Sequence, residues 1–231
     1  MVPIEGKYMG PPGAFPETLD APTNIVVLRG HGLTVLVDAG SGPLLPIWPG
    51  ASEQPVEIEA DILIATHLDW DHCGGFLAGT WPDDLEAAWP DKRVLAPAEA
   101  VAEARAGGQE GSVAPQVVAA LEGRIDEYAD GAEPAPGIRL RTAPGHRTGH
   151  SIVEVGDSFL YAADAFHHAL HVEHPEWDTE FDSEPEVGTE TRLALLAELA
   201  DSGTATAVAH ISGFGRIERA GDGFRWVPVG E

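Results

Sequence analysis

The stretch Thr66-His67-Leu68-Asp69-Trp70-Asp71-His72-Cys73-Gly74-Gly75 carries five His, Asp or Cys residues in ten positions, directly behind the apolar run Ala60–Thr66. A uniform helix would put 67 and 71 on one face and turn 69 away. A uniform strand would align 67, 69 and 71 and oppose 72 to them. The spacing therefore predicts a tight loop, in which all four side chains can converge. A loop that leaves a buried strand is held by the core beneath it and can keep its side chains in place. Two imidazoles and two carboxylates are suitable donors for Zn²⁺, Fe²⁺ or Mn²⁺. The alternative is a polar loop whose histidines bond to backbone; it explains one histidine better than this cluster.

Three further donors end an apolar strand or follow one. His146 lies in T-A-P-G-H, after the strand predicted at 138–142. Asp164 closes F-L-Y-A-A-D, and His210 closes A-V-A-H. Alone, Asp164 reads as a helix cap and His210 as a surface residue. Beside the 66–75 cluster, both read as members of a site at the edge of a sheet.

Outward from these segments, Asn24–Asp38 is predicted as two strands joined at Gly30-His31-Gly32, followed by the loop A-G-S-G-P. Strands are expected at 60–66, 93–96, 138–142, 151–155, 158–162 and 206–209, with weaker ones around Ile217 and Trp226. The Ala-rich stretches 97–107 and 114–122 are helix-like. Residues 189–200 form an amphipathic helix with Leu193, Leu196 and Leu199 on its apolar side. This order implies an α+β protein, two packed sheets with helices outside, as one domain over 1–231.

The ordered set His67-x-Asp69-x-Asp71-His72, Pro144-Gly145-His146, Asp164 and His210 resembles the metallo-β-lactamase superfamily, over roughly residues 24–215. The V-L-V-D-A-G of 35–40 is similar to an early strand of that family, which would place Asp38 behind the metals. The resemblance implies a four-layer αββα sandwich with two metals at the sheet edge. It assigns His67, Asp69 and His146 to the first metal and Asp71, His72 and His210 to the second, with Asp164 bridging. Asp69 stands where most members carry a second histidine. It reads either as a substitute ligand on zinc or as a harder donor favouring iron or manganese. The expected cofactors are two divalent ions, zinc with iron or manganese as alternatives. D-A-F-H-H at 164–168, H-P-E-W at 174–177 and A-H-I-S-G-F-G-R-I at 209–217 resemble lactonase-like and methyl parathion hydrolase-like members.

These readings point to a hydrolase in which activated water attacks an ester-like bond (lactone, carboxylic ester, thioester or phosphotriester), with Asp71 as metal ligand and proton acceptor. A di-iron redox protein on the same fold is the alternative, motivated by Asp69. Trp70 either lines the mouth of the site or packs beneath it. Phe166, His167 and His168 are the remaining substrate-contact candidates; either histidine could orient a substrate oxygen or be a satisfied surface residue. His150 is expected to support a ligand, and the acidic stretch 171–188 to be a lid or an ordinary long loop.

Composition narrows the partners. Thirteen basic against 38 acidic residues give a formal charge of −25, which repels nucleic acid and anionic lipid and suits a small-molecule substrate. No G-x-S-x-G, G-x-G-x-x-G or Walker A pattern is present. The opening residues do not resemble a signal peptide, and the single cysteine, Cys73, fits a reducing, cytoplasmic setting. The oligomeric state is not legible.

Overall fold

The computed structural model describes residues 22–47 and 58–230 and three short strands, β1 (Val2–Pro3), β2 (Tyr8–Met9) and β3 (Thr18–Leu19). The rest of the opening stretch, read above for a signal peptide, lies outside the described residues. By its internal contacts the chain divides into two compact units, Ile25–Pro136 and the combination of Met1–Asn24 with Gly137–Glu231.

The Ile25–Pro136 unit begins with the predicted hairpin, β4 (Val26–Gly30) and β5 (Leu33–Val37). His31 and Gly32 both take positive φ between them, as the tightest hairpin turns require. A 3₁₀ turn at Gly42–Ile47 follows, and then β6 (Ile62–Ile64). Strand β6 runs parallel to β5 on one side and to β9 (Val94–Pro97) on the other. A central parallel strand is covered on both faces, which is why its sequence is a continuous apolar run. After β6 come the short helix α1 (Trp70–Cys73), β7 (Leu77–Thr80) and β8 (Asp84–Ala87). Helices α2 (Ala98–Arg105) and α3 (Ala114–Ala120) lead to β10 (Ile125–Tyr128), parallel to β9, and to β11 (Ala132–Ala135). The sheet order is β10-β9-β6-β5-β4. Leu36, Leu63, Phe76, Val101 and Val117 form the centre of one hydrophobic cluster, against which Trp70 packs half-buried.

In the other unit β12 (Ile138–Thr142), β13 (Ser151–Val155) and β14 (Phe159–Tyr161) pair antiparallel in sequence. The chain then passes through α4 (Ala169–Glu173), β15 (Asp178–Thr179), which pairs with β2, and α5 (Pro185–Ser202). It returns as β16 (Ala205–Val208), parallel to β14, and continues antiparallel through β17 (Ile211–Ala220) and β18 (Gly223–Pro228). Helix α5 packs on β17, and Leu195, Leu196 and Leu199 join Ile152, Leu160, Phe166 and Val208 in the second core cluster.

Three sequence expectations need correction. Leu193 is not on the apolar side of α5; it is 42% exposed. The buried face is Gly188, Arg192, Leu195, Leu196 and Leu199. At 3.6 residues per turn Leu193 lies about 120° round the helix from Leu199, the middle of that face, and so falls outside it. The 66–75 segment is not a loop throughout, because α1 begins at Trp70. The stretch 171–188 is not a plain loop: it contains the end of α4, β15 and the first turn of α5, and His171 and Asp182 within it are buried.

Candidate metal centre

Strand direction explains where the donors stand. In one unit β12, β14 and β16 all run the same way, since β12 and β14 are both antiparallel to β13 and β16 is parallel to β14. Their carboxyl ends therefore leave the sheet at one edge, and His146, Asp164 and His210 follow those three ends. In the other unit β5 and β6 are parallel, and Asp38 and His67 follow their carboxyl ends. Ligand sites of open parallel sheets lie at this edge for the same reason.

In the Ile25–Pro136 unit, Asp69 has an extended backbone and immediately precedes α1, where Asp71 and His72 sit on the helical turn. The motif thus joins an extended segment to one turn of helix, a combination that neither uniform pattern allows. Asp38 has φ 55° and is completely buried. Its carboxylate accepts from the Thr66 backbone N–H at 2.8 Å, from the Thr66 hydroxyl at 2.9 Å, and from His72 Nδ1 at 2.8 Å. The Thr66 hydroxyl lies 3.0 Å from His67 Nδ1. With its hydrogen given to Asp38, that oxygen can only accept from the ring. The loop is packed without spare room: a Cβ on Gly75 would lie 1.8 Å from the Ala39 carbonyl oxygen, and one on Gly74 would lie 2.0 Å from that of Ser41. The Cys73 thiol is buried against these acids, and its pKa is pushed well up, by burial first and then by Asp69, Asp38 and Asp71.

In the second unit His146 Nδ1 lies 3.1 Å from Asp182 Oδ1, and His210 Nδ1 lies 2.7 Å from the Pro22 carbonyl oxygen. Ala163, at φ 45°, turns the chain so that Asp164 leaves the β14 end. His150 donates from Nδ1 to the Ala143 carbonyl and accepts at Nε2 from the Asp164 N–H. It therefore supports two donor loops through backbone, in keeping with the supporting place expected for it.

All four histidines obey one rule. The group facing each Nδ1 is an acceptor (the Thr66 hydroxyl, Asp38, Asp182 or the Pro22 carbonyl), which favours a ring hydrogen on Nδ1 and turns Nε2 toward the site. Each Nε2 in turn faces a carboxylate. His67 Nε2 is 3.9 Å from Asp69 Oδ2 and His72 Nε2 is 3.9 Å from Asp71 Oδ2. His146 Nε2 and His210 Nε2 each lie 3.4 Å from Asp164 Oδ2. Lone pairs and carboxylate oxygens set against one another, behind histidines oriented by their other nitrogen, are what a divalent cation requires. The donor set fits such ions.

The expected substrate contacts divide differently. Phe166 is fully buried in the second core cluster. Its neighbours in sequence point elsewhere. His168 caps α4, its Nδ1 accepting from the Leu170 N–H. His167 is not a surface residue; it is buried, with Nε2 3.6 Å from Asp164 Oδ2 and its ring stacked on that of His210 at 5.8 Å. Burial, which the Asp164 charge only partly opposes, holds its pKa well below the ordinary value.

Sequence reasoning missed Asp182 and Arg192. Asp182 lies in the acidic stretch 171–188 and does not stand out from its neighbours there, and Arg192 carries no sequence expectation. The one hint of the second is its position four residues before Leu196, which puts an ionic side chain on the apolar face. Burial pushes the Asp182 carboxyl up, but the His146 hydrogen bond and the His167, His146 and Arg192 charges outweigh it and hold it at about 2. His146, His167 and Asp182 each place one donor atom within 4.8 Å of the others.

Among solved structures, AbOPH, a hydrolase in the beta lactamase superfamily, is 22% identical with TM-score 0.73, covering 90% of this chain and 80% of its own. AidC, a dizinc quorum-quenching lactonase, is 18% identical with TM-score 0.74, over 90% and 80%. A probable metal-dependent hydrolase from Staphylococcus aureus is 16% identical with TM-score 0.75, over 91% and 83%. These likenesses establish the fold. No curated protein matches the chain in sequence. Residues 19–209 match the sequence profile of the metallo-beta-lactamase superfamily, a span that holds the assigned donors except His210, which follows it directly: the chain belongs to this superfamily.

Proposed function

We propose that this chain is a metal-dependent hydrolase that cleaves an ester-like bond at a dinuclear metal centre. The observation that carries the reading is the arrangement shared by His67, His72, His146 and His210, each with Nδ1 facing an acceptor and Nε2 facing a carboxylate oxygen. By family resemblance, His67, Asp69, Asp71, His72, His146, Asp164 and His210 would hold the ions. Bound there, two dications supply Lewis acidity and a water that ionises near neutral pH.

The chain's own residues do the rest. Asp71 takes up the proton released as water adds to the substrate. His167, buried beside Asp164, orients a substrate oxygen by hydrogen bonding. Trp70 supports the motif from below. The lactonase among the structural relatives favours a lactone, and the acidic surface favours small neutral esters over anionic polymers.

The test is metal analysis of the purified protein together with a chromogenic panel of lactones, esters, thioesters and phosphotriesters. Bound zinc, turnover on at least one substrate and its loss on chelation are expected. Full activity after exhaustive chelation, or a metal-loaded protein inert on the whole panel, overturns the reading. Asp69 motivates a second reading, a di-iron redox site; zinc alone after expression in iron-supplemented medium removes it.

A further inference from the structure

Arg192 is 1% exposed and heads the buried side chains by size. A guanidinium cannot shed its charge, so its burial has to be matched by acceptors. Its Nε donates to the Pro175 carbonyl at 3.0 Å and Nη1 to the Ala165 carbonyl at 3.3 Å. Its Nη2 reaches the Trp177 carbonyl at 3.5 Å and the Thr189 hydroxyl at 3.3 Å. The charge itself meets the Asp182 carboxylate, with Nη1 3.5 Å from Oδ2. The other oxygen of that carboxylate faces His146 Nδ1.

The surrounding backbone is shaped around the same contact. Ser183 N–H donates to the His146 carbonyl and Glu184 N–H to the Gly145 carbonyl, each at 2.8 Å, so the turn that delivers Asp182 also grips the His146 backbone. Gly145 has φ 120°, and a Cβ there would lie 2.2 Å from Gly188. A Cβ on Gly188 would meet Asp182 Oδ2 at 2.9 Å. Two glycines thus clear the space in which α5, Asp182 and the His146 loop meet.

We propose that Asp182 and Arg192 are positioning residues for His146: the buried guanidinium fixes the Asp182 carboxylate, which holds the imidazole with its hydrogen on Nδ1 and its Nε2 lone pair toward Asp164. The inference rests on the assignment of His146 as a metal ligand, but its first consequence, the tautomer, exists without metal. Supporting carboxylates of this kind orient metal-binding histidines and raise their basicity.

The experiment uses full-length protein labelled with ¹⁵N at histidine, freed of metal, at pH 7.5. Long-range proton–nitrogen correlation spectra report the His146 tautomer, assigned by the signal lost in His146→Gln. The expected wild-type result is the Nδ1–H form. In Asp182→Asn, whose amide can turn its NH₂ toward the ring, the Nε2–H form gains population. Zinc affinity, measured by competition with a chromophoric chelator, then falls about 10–100-fold. Arg192→Lys keeps the charge but loses the fork; it retains the wild-type tautomer and shows a smaller loss of affinity. A wild-type Nε2–H form overturns the proposal and needs no variant to fold. So does a folded Asp182→Asn protein with unchanged tautomer and zinc affinity. A protein that shows the tautomer but binds no metal leaves the relay standing and defeats the hydrolase reading instead.

Discussion

Asp38 concentrates the logic of the site in one side chain. It is buried, held at a positive φ, and accepts from two groups of Thr66 and from His72. The three donors keep its charge satisfied, and its charge fixes the ring hydrogen of His72 directly and of His67 through Thr66. Replacing it by asparagine sets an NH₂ group against one of those donors. Asp38→Asn is expected to lower stability by about 1–3 kcal/mol through the unmatched buried donor and zinc affinity by about 10–100-fold. Denaturant melts of metal-free protein and a zinc titration check the two effects separately. If affinity holds while stability drops, Asp38 is a structural acceptor only. At this scale the sequence was informative where the donor ends an apolar strand, as at Asp164 and His210, because burial and ionisability are both visible there. It was silent on Asp182, since an acid that pairs with a buried cation looks like any acid until the fold brings the cation to it.

Elements explain the rest of what could and could not be read. Strands β5, β6, β14 and β16 are central in their sheets, so their apolar runs stand out. The β7–β8 hairpin, L-A-G-T and D-L-E-A, holds few β-branched or aromatic residues and gives no such signal. Helix α5 was visible as a helix, but its face was misread because leucines alone were counted and Arg192 was not. The two glycines after α1 carry a prediction at this scale. Gly75 touches the Ala39 backbone, which cannot move without moving Asp38. Gly75→Ala should therefore cost at least about 1–3 kcal/mol by overpacking. Gly30→Ala, with open space around the site of the added Cβ, should leave the melting temperature unchanged or slightly higher. Equal effects from the two variants would remove the argument from close packing.

For the molecule as a whole, acid is the condition that tests the buried groups together. Burial first, and Arg192 next, hold His171 at about 3 rather than 6.5, and its Nε2–H donates to the Trp177 carbonyl at 2.8 Å. The unfolded chain therefore takes up this proton first, and its contribution, complete above pH 6.5, is lost as pH falls toward 3. Asp182 adds in the same sense, from 3.8 down to about 2. At pH 5 the His171 loss amounts to about 2 kcal/mol. Thermal melts of metal-free protein at pH 7 and 5 should show a smaller drop for His171→Gln than for wild type. Parallel drops would mean that other groups set the acid limit.

Asn24 ends the first segment of a unit whose remainder begins at Gly137. Its side-chain amide donates to the Val208 and Ile211 carbonyls, its backbone N–H to the Ala209 carbonyl, and its own carbonyl accepts from the Tyr161 hydroxyl. During translation these partners emerge more than a hundred residues later. Ile25–Pro136 has every strand of its own sheet by then, whereas Asn24 must wait on the ribosome for β16 and the start of β17. A stop codon before residue 205 would strip the early clamp of its late acceptors and leave the first-made sheet with all its strands.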